Sequence, residues 1–202
     1  MTVRVQDSAD VSPDAVIGEG SSIWHLAQVR EHAVLGSQCV VGRGAYIGEG
    51  VVMGQRCKVQ NYALVYEPAR LGDGVFIGPA VVLTNDHFPR AVNPDGSLKS
   101  ASDWEPVGVA IEEGASVGAR AVCVAPVRIG AWATVAAGAV VTKDVPAHAL
   151  VAGGARRPTP GLLLGRARGR APGGRERGRG RLSRRCHEVA LPGDRYCVRP
   201  VQ

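Results

Sequence analysis

The segment Thr84-Asn85-Asp86-His87-Phe88-Pro89-Arg90 is densely polar and titratable, and it follows directly on the apolar run Val81-Val82-Leu83. An imidazole titrates near neutral pH, so His87 is a candidate general base. The competing reading is a solvated loop in which Asn, Asp and Pro form turns. Sulfur chemistry has little support. The five cysteines (Cys39, Cys57, Cys123, Cys186 and Cys197) are odd in number and widely spaced, without a CxxC pair. That argues against a disulfide framework and against a zinc site.

The elements that hold this segment show themselves as an internal period. Stepping by six from Val11 reaches Ile17, Ile23, Val29, Leu35, Val41, Ile47, Met53, Val59, Val65, Leu71, Ile77 and Leu83, all aliphatic. A small residue commonly follows four places later, as at Ala15, Ser21, Ala27, Ala33, Cys39, Ala45, Cys57 and Ala63, so the first three cysteines read as small hydrophobes. Glycine often comes directly after the aliphatic residue, as at Gly18, Gly36, Gly42 and Gly48. The phase breaks after Leu83 and resumes at Ile111 through Val117, Cys123, Ile129, Val135 and Val141, leaving 84–110 as an inserted loop. A six-residue period implies a short strand with every sixth side chain in a shared interior. A tight corner follows, where Gly, Asn or Asp can take positive φ. Helical spacing of three and four is absent, and antiparallel hairpins would place turns at longer, irregular intervals.

The 202 residues suit one domain plus a tail, and the scarce aromatics (two Phe, three Trp, four Tyr) fit a thin core of small side chains. The net charge of +6 is an uneven average. Residues 1–155 carry 11 basic against 15 acidic side chains and residues 156–202 carry 13 against 3, so a nucleic-acid reading rests wholly on the tail. The N-terminus lacks a basic region followed by an apolar stretch, and no run reaches the length of a membrane span, so a cytoplasmic location is expected.

These repeats resemble the hexapeptide-repeat transferases, in which three hexads close one triangular coil. The resemblance implies an all-β, left-handed parallel β-helix of about seven coils stacked roughly 4.8 Å apart, with handedness coming from the resemblance alone. Several segments resemble the branch that N-acetylates nucleotide-linked 3-amino sugars. They are Ile23-Trp24-His25, Val59-Gln60-Asn61, Val65-Tyr66, Gly74-Val75-Phe76-Ile77-Gly78-Pro79, Thr84-Asn85 with Pro89-Arg90, and Val140-Val141-Thr142-Lys143-Asp144-Val145-Pro146. The similarity covers about residues 8–153. It implies an acetyl-CoA-dependent N-acetyltransferase acting on a UDP- or dTDP-linked 3-amino sugar, as a homotrimer with intersubunit active sites and without a metal.

By the same resemblance Asn85 lies beside the sugar amine. Trp24, His25, Gln60, Asn61, Tyr66 and Arg90 become substrate contacts, Arg90 being suited to pyrophosphate or carboxylate. For the cofactor, Ala136, Ala137 and Gly138, with Ala133 and Ala139, offer minimal side chains against which a pantetheine arm can lie, and Lys143 can meet a phosphate. The competing reading of the alanines is core packing. His87 keeps its two readings, because the departing thiolate can also take the proton. His32, His148 and His187 have no supporting context. The gamma-class carbonic anhydrases share the expected fold, but their zinc needs three convergent histidines, a spacing that His25, His32, His87 and His148 do not offer.

The chain departs from the family at its end. Val151-Ala152-Gly153-Gly154-Ala155-Arg156-Arg157 lacks the proline of the usual closing motif, and the Arg/Gly-rich sequence beyond it cannot assemble a core. The expected organisation is therefore a β-helix domain over 1–155 and a basic tail over 156–202. The tail is either disordered and bound to RNA or another anionic surface, or the product of a one-base frame change near residue 154; the coincident motif loss and composition change favour the frame change. Two alternatives accompany the sugar N-acetyltransferase. One is a hexapeptide acyltransferase with an amino acid or sugar hydroxyl as acceptor; the other is a non-catalytic scaffold with a nucleic-acid-binding tail.

Overall fold

Each hexad supplies two residues to a strand and four to a corner, and three hexads bring the chain back to the same face one layer further on. The computed structural model describes residues 2–153, 187–191 and 194–198. Over 2–153 it is an all-β parallel solenoid with three sheets of eight, seven and six strands. The first face contains Ser22–Ile23, the second Gln28–Val29 and the third Val34–Leu35. In-sheet neighbours are 18 residues apart, as in Ser22 with Val40, Val40 with Lys58 and Lys58 with Phe76. We call the edges corner 1–2, corner 2–3 and corner 3–1.

From Ile23 onward every aliphatic residue of the six-residue series is buried, together with the small residue two places before it. The interior is therefore two side chains deep per face, which explains the preference for Ala and Cys beside each Val, Ile or Leu. Ser21 is the one buried polar side chain among the described residues. Its hydroxyl donates to the Gly36 carbonyl at 3.2 Å and accepts from the Cys39 amide at 2.9 Å, so it is satisfied.

Glycine has two roles at the corners, of which the expectation covered one. The glycine after each aliphatic residue is needed for close stacking between coils: a Cβ on Gly36 would lie 2.6 Å from the Gln55 nitrogen, and one on Gly118 2.5 Å from the Ala137 nitrogen. Positive φ occurs two residues later; glycine supplies it at Gly20, Gly44, Gly50, Gly74, Gly114 and Gly138, and nine non-glycine residues among those described adopt it too, including Leu26 (58°), Tyr62 (58°) and Trp132 (58°). Each such residue costs about 1–2 kcal/mol relative to ordinary backbone. The backbone bonds of the stack hold them there, as when the Tyr62 amide donates to the Arg43 carbonyl at 2.9 Å.

Two irregularities break the period. Across the insertion the register offset grows from 18 to 40, with Arg70 opposite Ala110 and Val82 opposite Val122, so 22 residues are added to one coil. Because Val109–Ile111 is already a strand of the third face, the insertion ends two residues before the expected boundary at 110. At the other end the last coil is two residues short, with Ile129 bridging Val145 and Thr134 opposite Leu150.

The chain divides into two units, Met1–Gly165 and Arg166–Gln202. In the second, His187–Leu191 and Asp194–Val198 pair antiparallel. The expectation of an Arg/Gly-rich tail, disordered or frame-altered, otherwise falls outside the described residues. No helix among the described residues is long and apolar enough to cross a membrane.

Candidate functional site

Asn85 stands at corner 2–3, where the insertion leaves the stack. The preceding residue ties down this exit. The Thr84 amide donates to the Cys123 carbonyl at 3.0 Å, and the Thr84 hydroxyl accepts from the Ala125 amide at 3.0 Å, bridging 41 residues of sequence. The insertion returns through a bond from the Val107 amide to the Asn85 carbonyl at 3.0 Å. The Asn85 backbone is thereby fixed on both sides, and its half-buried side chain is presented from a rigid element.

The 18-residue spacing places Glu67 directly before Asn85 in the stack. Asn85 Nδ2 donates to Glu67 Oε1 at 3.3 Å, while Glu67 Oε2 is buried without a hydrogen-bond partner. Gly48, one coil earlier, leaves the space that this carboxylate fills. Tyr46 and Tyr66 flank the site with ring centroids 5.2 Å apart. Burial raises the Tyr46 phenol above its ordinary value and the Glu67 charge adds to the rise, so Tyr46 remains a hydrogen-bond donor at neutral pH.

His87 and Arg90 lie in the insertion, on a cleft of about 490 Å³ that Asp86, Phe88, Lys99 and Trp104 also line. Lys99 Nζ is 3.6 Å from Asp86 Oδ2, and Asp86 Oδ1 accepts from the Phe88 amide at 2.7 Å. The His87 ring meets Phe88 edge-on at 4.3 Å. His87 is exposed and Asn85 is not part of the cleft lining, so the loop groups two of the expected residues beside the Asn85 exit without seating the imidazole on the carboxamide.

The remaining candidates sort by corner. Trp24, His25, Gln60, Asn61, Ala136, Ala137 and Gly138 all occupy corner 1–2, whereas Tyr66, Asn85 and Lys143 occupy corner 2–3. Several at corner 1–2 already have partners. Arg4 lies over the Trp24 ring at 5.3 Å, His25 Nδ1 meets the Ser8 hydroxyl at 2.9 Å, and Asn61 Oδ1 accepts from the Arg43 amide at 2.9 Å. Of the alanine cluster, Ala133 and Ala139 point into the core, so the core reading holds for those two; Ala136, Ala137 and Gly138 face outward. Lys143 is exposed. Face 2 separates the corners by one hexad of chain, at most about 20 Å. After Asp10 and Gln28 in the first two strands, its outward residues are the apolar series Tyr46, Leu64, Val82, Val122 and Val140. Among the described residues no three His, Cys, Asp or Glu side chains form a group that could hold a metal.

Two stretches match family models: residues 14–49 match the bacterial transferase hexapeptide (six repeats), and residues 108–143 the hexapeptide repeat of succinyl-transferase. Both stretches are hexapeptide repeats of transferase families. Among relatives of these hexapeptide proteins, the bifunctional protein GlmU of Thermosynechococcus vestitus is 32% identical over 148 residues, covering 73% of this chain and 29% of that protein. Serine acetyltransferase 2 of Arabidopsis thaliana is 42% identical over 83 residues, covering 41% and 25%. The chain therefore spans less than a third of the length of these relatives. The structure of AntD, an N-acyltransferase from Bacillus cereus in complex with dTDP and 3-hydroxybutyryl-CoA, superposes with a TM-score of 0.54 at 15% identity, covering 79% of each chain, a likeness of fold.

Proposed function

We propose that this hexapeptide protein is an acetyl-CoA-dependent N-acetyltransferase acting on the amine of a UDP- or dTDP-linked 3-amino sugar. The observation that carries the reading is Asn85, held rigidly at the mouth of the insertion with its carboxamide oriented by Glu67. Acyl transfer to an amine needs positioning and hydrogen-bond donors or acceptors in place before the reaction, and no redox group. The amine lone pair attacks the thioester carbonyl, the C–N bond forms, the C–S bond breaks, and the amine proton leaves with the thiolate, directly or by way of His87. Acetyltransferase and N-acyltransferase names among the relatives and the superposed structure support this class of chemistry.

In this reading the outward ledge of Ala136, Ala137 and Gly138 holds the pantetheine arm, with Lys143 at a phosphate. Trp24, His25, Gln60, Asn61, Tyr66 and Arg90 contact the nucleotide sugar. The ledge and Asn85 lie on different corners of one chain, with face 2 between them. A homotrimer that sets corner 1–2 of one protomer against corner 2–3 of the next would complete the site and cover the apolar outer side of face 2.

The second reading, an acyltransferase with another acceptor, draws support from a relative named 2,3,4,5-tetrahydropyridine-2,6-dicarboxylate N-acetyltransferase of Staphylococcus aureus, 40% identical over 82 residues, 41% of this chain and 28% of that protein. Thiol release from acetyl-CoA with a panel of UDP- and dTDP-linked 3-amino sugars separates the two. Release with one of them that is lost in Asn85→Ala supports the sugar reading; release only with a non-sugar amine favours the second.

A further inference from the structure

We propose that Glu67 and Asn85 form a paired hydrogen-bond acceptor that selects a primary amine over a hydroxyl as the acyl acceptor. The proposal rests on the transferase reading above and adds a rule for its substrate. A carboxylate offers only acceptors, so the Asn85 amide must turn its Nδ2 toward Glu67, as the 3.3 Å contact has it. The amide orientation then follows from chemistry, and Asn85 Oδ1 is directed away from Glu67 as a fixed acceptor. The carboxylate makes a single bond through Oε1, and its Oε2 is buried without a partner. A buried polar oxygen left unpaired is costly, and native structures retain one mainly where a missing group supplies the bond. Oε1 makes one hydrogen bond and a carboxylate oxygen has about two lone-pair sites, so Glu67 keeps acceptor capacity on the side of Asn85 as well as on Oε2.

A neutral primary amine has two N–H donors and one lone pair. One N–H directed to Asn85 Oδ1 and the other to Glu67 leave the lone pair pointing away from both, toward the thioester carbonyl. A hydroxyl has one donor, so it satisfies one acceptor and turns an oxygen lone pair against the other. Sites built around a donor of the substrate reject analogues lacking it by on the order of 10⁴-fold. The proton balance is unchanged: the amine becomes an amide with one N–H, and the proton lost ends on the coenzyme thiol. Glu67 thus contacts the reacting amine and takes no net proton. Glu31 and Glu49 occupy the same corner position in earlier coils, but Glu67 is the one stacked beneath Asn85.

The test compares kcat/KM for a nucleotide-linked 3-amino sugar and its 3-hydroxy counterpart in wild type and Glu67→Gln. The glutamine keeps an acceptor for Asn85 Nδ2 and presents a donor to the substrate. Amine transfer should fall roughly 10- to 100-fold, the loss of one charge-assisted hydrogen bond, while hydroxyl transfer holds or rises. If the glutamine variant does not fold, Glu67→Asp withdraws the carboxylate from Asn85 and reads the same ratio. Equal losses on both acceptors, or no change in either, overturn the paired acceptor while leaving the transferase intact. Wild type that acetylates no amine overturns both.

Discussion

Corner 1–2 and corner 2–3 are made from the same six-residue unit, yet they treat their polar groups in opposite ways. At corner 1–2 the Asn61 carboxamide accepts a backbone amide from the neighbouring coil, His25 meets Ser8, and Trp24 lies under Arg4. At corner 2–3 the Glu67 carboxylate keeps an oxygen buried and unpaired, and Asn85 offers an oxygen that Glu67 forces outward. The first corner resolves its hydrogen bonds within the stack. The second leaves capacity for a group that arrives from outside, and it is also where the coil opens to admit 22 further residues. The open hydrogen-bonding capacity of corner 2–3 thus lies where the insertion breaks the repeat.

Exchange at Asn85 should strain this contrast most. Asn85→Asp sets a second carboxylate against Glu67 and removes the amide donor, and kcat/KM for the amine acceptor should fall roughly 10²- to 10³-fold. Trp24→Ala at corner 1–2 should cost less than about tenfold, mainly in KM, as expected for a contact to a part of the substrate that does not react. Equal losses would erase the functional difference between the corners.

Stability should show the reverse order. Gly118→Ala drives a Cβ to 2.5 Å from the Ala137 nitrogen at corner 1–2, and urea denaturation should record a loss of about 1–3 kcal/mol. Asn85→Ala, which truncates a half-buried side chain making one hydrogen bond, should cost less, about 1 kcal/mol. A smaller effect belongs to corner 3–1, which the functional reading does not use. There Gln55 donates to Asp73 from both its side chain and its backbone, holding the Asp73 carboxyl below its ordinary value. A depressed folded-state pKa gives stability that is present above the ordinary carboxylate range and lost as pH falls through the lowered value. Gln55→Ala should therefore flatten the acid limb of the stability profile while leaving neutral-pH activity in place.

The fold was legible because burial every sixth residue is a property of the chain itself. From Ile23 to Leu83 each aliphatic residue named by the period is buried, while Val11 and Ile17 in the first coils are only partly so. The corner glycines were read only in part, because sequence shows that glycine is present and not which constraint it meets. At Gly36 and Gly118 the constraint is a neighbouring backbone less than 3 Å from a would-be Cβ, whereas positive φ is met by glycine at Gly44 and Gly74 and by other residues at Tyr62 and Trp132. At the site, Asn85 and the loop could be named from the break in phase. Glu67 could not be singled out while hexads were read one at a time, since Glu31, Glu49 and Glu67 follow their aliphatic residues alike. Three hexads per coil place residue 67 beneath residue 85, so the signal lay in a separation of 18. Tyr46 was missed because an outward aromatic residue on a strand looks the same in sequence whether or not a carboxylate lies beside it.

The central claim is that chemistry at corner 2–3 of one chain needs corner 1–2 of another, and subunit complementation tests it most directly. Asn85→Ala removes the acceptor at one corner, and Ala137→Phe blocks the small-residue ledge at the other. Each variant alone should be inactive in amine acetylation. Dissociating and reassembling an equal mixture should restore about a quarter of wild-type activity, because random assembly pairs intact corners in that fraction of sites. No recovery from mixed oligomers, with subunit exchange demonstrated by mass spectrometry, would contradict a site shared between two chains.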